Sequence, residues 1–242
     1  MCSSDLASTC VLALVACSQP TSDTNADAGA PAPAPAGTTY ESLASLPDFA
    51  GPWALDPAAD PAHSTDVIPF TPEYATKLDT VRKMVAGGKP VPAVQARCVP
   101  NGMPTMMYIE GAMYQFLLTP GRFTVVTDTH DVRRAYTDGR KHPEDPDNSY
   151  GGDGVAHWEK DTLVVDTIGL LPELPVVPGV QGGGKVHVVE RIHLTGPDKL
   201  EIATTLTDDS LSAPYSYTRT YTRHRGANME ENICLPEPDL KL

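Results

Sequence analysis

The chain is short of positive charge, of aromatic rings and of long apolar runs. It carries 18 Lys and Arg against 31 Asp and Glu, a formal net charge of -13. Gripping a phosphate backbone needs clustered Lys and Arg, so the balance argues against a nucleic-acid partner. It argues equally against adsorption on anionic lipid. Aromatics are 6% of the residues. No G-x-S-x-G elbow, P-loop, dinucleotide fingerprint or HxH pair occurs. The acidic run 145–154 fails the calcium-loop pattern, because Tyr150 stands where a sharp-turn glycine is required. No metal and no cofactor are expected.

Pro (24) and Gly (19) are abundant instead, and punctuation of that density favours many short elements over long helices. Near the N-terminus, VLALVA (11–16) is too short to span a bilayer as a helix. With LVAC at 14–17 it reads as a signal peptide over 1–16 and a bacterial lipoprotein cleavage box. Residues 1–10 lack the Lys or Arg with which an export signal usually begins. Cleavage before Cys17 and acylation of its thiol would tether the chain to the envelope, facing the periplasm, with the outer membrane as the expected site. The lipid would be its only membrane contact. Pro- and Ala-rich residues up to 39 cannot bury enough surface to fold, so 17–39 reads as lipidated Cys17 plus a stalk. Cys2 and Cys10 would leave with the signal. That leaves Cys98 and Cys234 in an oxidising compartment, where a disulfide is expected.

Residues 40–242 read as one domain. TPEYATKLDTVRKMVAGG (71–88) predicts one amphipathic helix. Thr71 suits the N-cap, Pro72 the first helical position and Gly87 the stop. Tyr74, Leu78, Val81 and Val85 form a stripe expected to pack. From about 104 the apolar pattern has period two. Strands are expected near 104–109, 112–118, 122–127, 130–137, 155–158, 162–168, 185–194, 199–206 and 214–224. Turn chemistry between them suggests direct antiparallel connections. The fold class is therefore mostly β, an antiparallel up-and-down barrel that removes exposed edges, with a β-sandwich as the alternative. In such a meander the long loops 138–154 and 169–184 share one end with 119–121 and 207–213. The turn 159–161 falls at the other end with 128–129 and 195–198. Long loops in a compact domain are commonly functional, so the first end is the candidate mouth.

Several segments carry a resemblance: TPEYATKLD, CVPNGMPTMM, QFLLTPGRFTVV, VRRAYTDGRKHP, HWEKDTLVVDTIG, VVERIHL and TRTYTR. Over roughly 70–225 the chain resembles an uncharacterised family of exported bacterial proteins and lipoproteins. The family's turn usually reads WEGDT, and Lys160 departs from it. No activity is implied. GPW at 51–53 resembles the Gly-x-Trp opening of lipocalin-like barrels, which implies a cation–π cover for Trp53 from Arg219 or Arg223.

Strand parity sorts the polar residues. Glu190 shares a face with Val188 and Ile192, which places a carboxylate inside the barrel. Tyr215, Tyr217, Arg219, Tyr221 and Arg223 share a face, so Arg219 is expected to be buried and to pair with Glu190. Arg134 and Tyr136 are expected at the mouth, with His142 from the long loop. A two- or four-residue turn would put His157 and Asp166 on one face. Glu190, Asp166 and His157 are the catalytic candidates. Arg134, Tyr136, His142, Asp166, Glu190, Tyr215, Tyr217 and Arg219 are the ligand-binding candidates. The expected function is an envelope lipoprotein that binds a small, partly apolar molecule at the mouth. The alternative is an acid–base lyase, isomerase or hydrolase working at the same place, and whether the chain is an enzyme is left open.

Overall fold

The structure is a computed structural model and describes residues 35–56, 67–89, 98–177, 180–230 and 232–234. All belong to one compact unit, Ala34–Leu242. The expected signal peptide, Cys17 and the stalk as far as residue 34 lie outside the described residues. Residues 35–39, expected as the end of the stalk, join the fold: Gly121 N donates to Gly37 O at 2.9 Å, and Thr39 caps a one-turn helix α1, Tyr40–Leu43.

The remaining elements are β1 (Pro52–Leu55), helix α2 (Pro72–Ala86), a 3-10 turn (Thr105–Met107), β2 (Met113–Thr119), β3 (Arg122–Thr127), β4 (Val132–Tyr136), β5 (Asp153–Glu159), β6 (Thr162–Ile168), β7 (Pro175–Val177), β8 (Val180–Gln181), β9 (His187–Gly196), β10 (Lys199–Thr207) and β11 (Tyr215–Arg223). Nine strands close into a barrel in the order β1-β11-β10-β9-β6-β5-β4-β3-β2, and β7 and β8 form a separate ribbon.

The barrel is mixed. β4 and β5 pair in parallel, through Ala135↔Gly154 and Tyr136↔Val155, where an unbroken meander was expected. A parallel pair needs a crossover of a dozen or more residues, and the 137–152 connection supplies that length without a helix. This changes the ends. With β2 drawn upward, the lower end carries 128–131, 169–186 and 208–214, and the upper end carries 120–121, 160–161 and 197–198. The 138–152 loop therefore runs from the upper end to the lower. The turn 119–121 lies opposite the 169–184 loop.

The few aromatics are concentrated inside. Phe116 stacks on Phe123 at 6.2 Å, and Tyr221 meets Phe116 edge-on at 5.7 Å. Arg223 covers Trp53 at 4.5 Å, the expected cation–π contact. Its guanidinium also donates to Asp48 Oδ2 at 2.9 Å. Phe49 closes the upper end beside Trp158, with ring centroids 5.9 Å apart.

The strand expected at 104–109 is the 3-10 turn instead. Met103, Met106 and Met107 are buried in the core, and the segment fills the barrel without joining its ladder. Asp131 holds it in place, accepting from Asn101 Nδ2 at 2.6 Å and Gly102 N at 3.0 Å. The Tyr221 hydroxyl donates to Met107 O. Cys98 and Cys234 form the expected disulfide, with Cα atoms 5.7 Å apart.

α2 has the expected bounds, but none of its residues is buried. Its apolar stripe is half-buried at Tyr74, Leu78 and Val81, with Val85 50% exposed and Tyr74 stacked on Phe70 at 6.4 Å. Thr71 occupies the N-cap without a side-chain capping bond.

Candidate functional site

Three sets of polar groups lie towards the lower part of the barrel. The first is inside. Strand alternation turns Arg133 of β4 and Glu190 of β9 inward, at 3% and 1% exposure. Arg133 Nη1 donates to Glu190 Oε2, and also to Met103 Sδ at 3.2 Å. Glu190 is thus the expected interior carboxylate, but its partner is Arg133, where Arg219 was expected. Arg219 is buried too; its guanidinium stacks 4.6 Å from the Tyr217 ring and donates to Thr218 O at 3.2 Å. The tyrosines around it stay neutral. Burial raises the Tyr217 and Tyr221 hydroxyls well above the ordinary tyrosine value. Burial also pushes Tyr108 up to about 12, outweighing its contact with the Thr105 hydroxyl. Tyr215 lies 5.2 Å from Tyr217 near the start of β11, at the lower end.

The second set is on the outer wall. β5, β6 and β9 present Asp153, Asp166 and His187 outward, and the crossover lays His142 over them. His142 Nδ1 meets Asp153 Oδ1 at 2.5 Å. His142 Nε2 stands 3.4 Å from Asp166 Oδ1, which also meets His187 Nε2 at 2.7 Å. The result is a carboxylate–imidazole–carboxylate–imidazole chain, the equipment for moving a proton along a surface. Among the described residues, no group of three or more His, Cys, Asp and Glu side chains is arranged to hold a metal ion.

The third is a groove of about 480 Å³ at the β4–β5 seam. Arg134, Tyr136 and Asp153 line it from the strands, Tyr150 to Gly154 form one lip, and Met106 and Arg133 are also in its wall. Glycines let the backbone lie this close. A Cβ on Gly152, whose φ is +70°, would sit 2.5 Å from Ile168 O. Arg140 stacks on Tyr136 at 3.7 Å and is held by Asp138, whose carboxyl that guanidinium keeps below the ordinary range. Asp153 belongs to both the groove and the imidazole chain. A hollow of about 550 Å³ surrounds the disulfide. Its wall includes Asn232 and Ile233.

No family model, curated protein or solved structure matches the chain.

The structure brings Arg134 and Tyr136 to the groove, and His142 and Asp166 to one chain of contacts. It leaves His157 apart. The hairpin turn has two residues, since Glu159 pairs with Thr162. His157 and Asp166 therefore share the outer face, as a turn of that length requires. Yet His157 contacts Glu159 at 3.2 Å, and Glu159 holds Arg191 at 2.6 Å. That exposed trio faces solvent at the upper end. Sequence reasoning missed Arg133, Asp153 and His187. In VRRAY either arginine fits either face, because no alternation distinguishes them. Asp153 and His187 become partners of the candidates only through the crossover.

Proposed function

We propose that the chain is an exported, envelope-anchored protein that binds a small, partly apolar molecule in the groove at the β4–β5 seam. The observation that carries this reading is the groove's composition. A cation at Arg134, two aromatic walls at Tyr136 and Tyr150 and a glycine lip converge on one concavity, the usual mix of apolar surface and few polar groups in a small-molecule site. The lumen is a poorer candidate, because Met103, Met106 and Met107 occupy its lower part. Anchoring through Cys17 and a periplasm-facing, outer-membrane location are part of the proposal. The Cys98–Cys234 bridge supports an oxidising compartment. Kinship with the exported family and a lipocalin-like ancestry belong to the same reading. His142 of YTDGRKHP and Asp166 of HWEKDTLVVDT meeting on one face supports the former. The Trp53–Arg223 contact supports the latter.

Native mass spectrometry of protein purified from its own envelope tests the reading. A co-purifying molecule is expected, retained in Glu159→Ala at the opposite end and depleted in Tyr136→Ala. Equal retention in Tyr136→Ala and Arg134→Ala, with folding intact, would sink the groove as the site.

A second reading is acid–base catalysis, favoured by the alternation Asp153–His142–Asp166–His187 beside the groove. It predicts that His187→Gln abolishes turnover of the co-purified molecule while leaving it bound.

A further inference from the structure

Resting on that reading of the groove, we propose that Arg133 recognises a carboxylate of the ligand, taken bidentately on the guanidinium edge formed by Nε and Nη2. Only Nη1 of this arginine is engaged, by Glu190 Oε2 and Met103 Sδ. Nε and Nη2 are buried and have no hydrogen-bond partner among the described residues. Buried polar groups are almost always satisfied, and a pair of orphaned donors on one side chain calls for an acceptor. The two orphans lie along one edge of a planar fork. Two parallel N–H groups at that spacing match the two oxygens of a carboxylate. Glu190 already offsets the charge of Arg133, so a singly charged acceptor suits the edge better than a doubly charged phosphate, which would crowd a second carboxylate.

The groove provides the approach. Arg133 is in its wall, and the seam beside it is lightly laced, with two register pairs between β4 and β5. The facing lip is Gly151, Gly152 and Gly154, which project no side chain. A Cβ built on Gly151 would lie 3.3 Å from Arg133 Cβ, so the lip already rests against this residue. A carboxylate admitted where this thinly paired seam opens would meet the free edge. The apolar remainder of the ligand would stay against Met106, Tyr136 and Tyr150. The ligand class is thus a small monocarboxylate with an apolar or aromatic body.

Benzoate is the probe, with benzamide as its neutral counterpart and inorganic phosphate as the alternative anion. Binding to the full chain is followed by calorimetry and by amide shifts at Gly151–Gly154. Benzoate is expected to bind about tenfold or more tightly than either comparator. Arg133→Lys keeps the charge near Glu190 and loses the fork, so benzoate affinity should fall about tenfold. Tyr150→Ala removes an apolar wall of the groove and leaves Arg133 in place, and should also lose benzoate, which keeps the proposal testable if the lysine variant does not fold. Equal binding of benzamide and benzoate, with shifts at the glycine lip, overturns the carboxylate assignment and leaves the groove standing. Stronger binding of phosphate, or undiminished benzoate binding in Arg133→Lys, overturns it as well. Shifts at none of these amides with any probe overturn both the assignment and the groove.

Discussion

Lys160 has a φ of +57°, a left-handed backbone at the first position of the two-residue β5–β6 turn. A side chain with a Cβ crowds the following carbonyl in that region, and glycine does not. Lys160→Gly should therefore raise stability by about 0.5–1 kcal/mol, read as a higher urea midpoint with an unchanged slope. Inside the barrel, Arg133 and Glu190 set the opposite kind of constraint. Removing one partner leaves a buried charge uncompensated and costs about 3–5 kcal/mol. Glu190→Gln is expected to fall in that range. The double substitution Arg133→Met with Glu190→Leu should lose much less than the sum of the single losses. Additive losses in the double-mutant cycle would show that the pair is not coupled.

At the scale of elements, the seam between β4 and β5 is the thinnest junction of the barrel wall. It has two register pairs, whereas β9 and β10 share nine. Local opening follows the density of ladder bonds and buried contacts. Amide exchange should be fastest among the barrel strands around Ala135, Tyr136 and Gly154, and slowest in β9 and β10. Uniform protection around the barrel would contradict the seam as an entry. The length of 137–152 was legible as unusual in the sequence; its cause was not. A long connection can be a flap or a crossover, and only the parallel register of β5 decides which. The same ambiguity affected 104–109. Its alternating apolar residues suit a strand, but its place inside the closed wall leaves no edge to pair with, and the methionines become filling.

At the scale of the whole molecule, acid sensitivity comes from carboxylates whose ionised form the fold favours. Two carboxylates tie distant segments together. Asp48 accepts from Arg223, and that hydrogen bond is the main cause of its lowered pKa. Burial opposes ionisation of Asp208, but bonds from the Ser210 hydroxyl and the N–H groups of Gly183, Ser210 and Lys185 outweigh it and hold the carboxyl below its ordinary value. Both groups have folded pKa values below the unfolded one. Their contribution is complete above the ordinary carboxylate range, near pH 4, and is lost as pH falls through the depressed folded values. The unfolding midpoint should drop on acidification below about pH 4. Asp208→Asn should lower stability at neutral pH and flatten that acid limb. An unaltered limb in Asp48→Asn and Asp208→Asn together would assign acid sensitivity to other groups.

Local chemistry in the sequence determined most strands, the α2 helix, the pairing of Cys98 with Cys234 and the inward turn of Glu190, because period, turn residues and cysteine number act over short or countable distances. The partner of Glu190, the direction of β5 and the meeting of His142, Asp153, Asp166 and His187 were decided only by the tertiary structure. They depend on how the wall closes, and closure is a property of all nine strands at once.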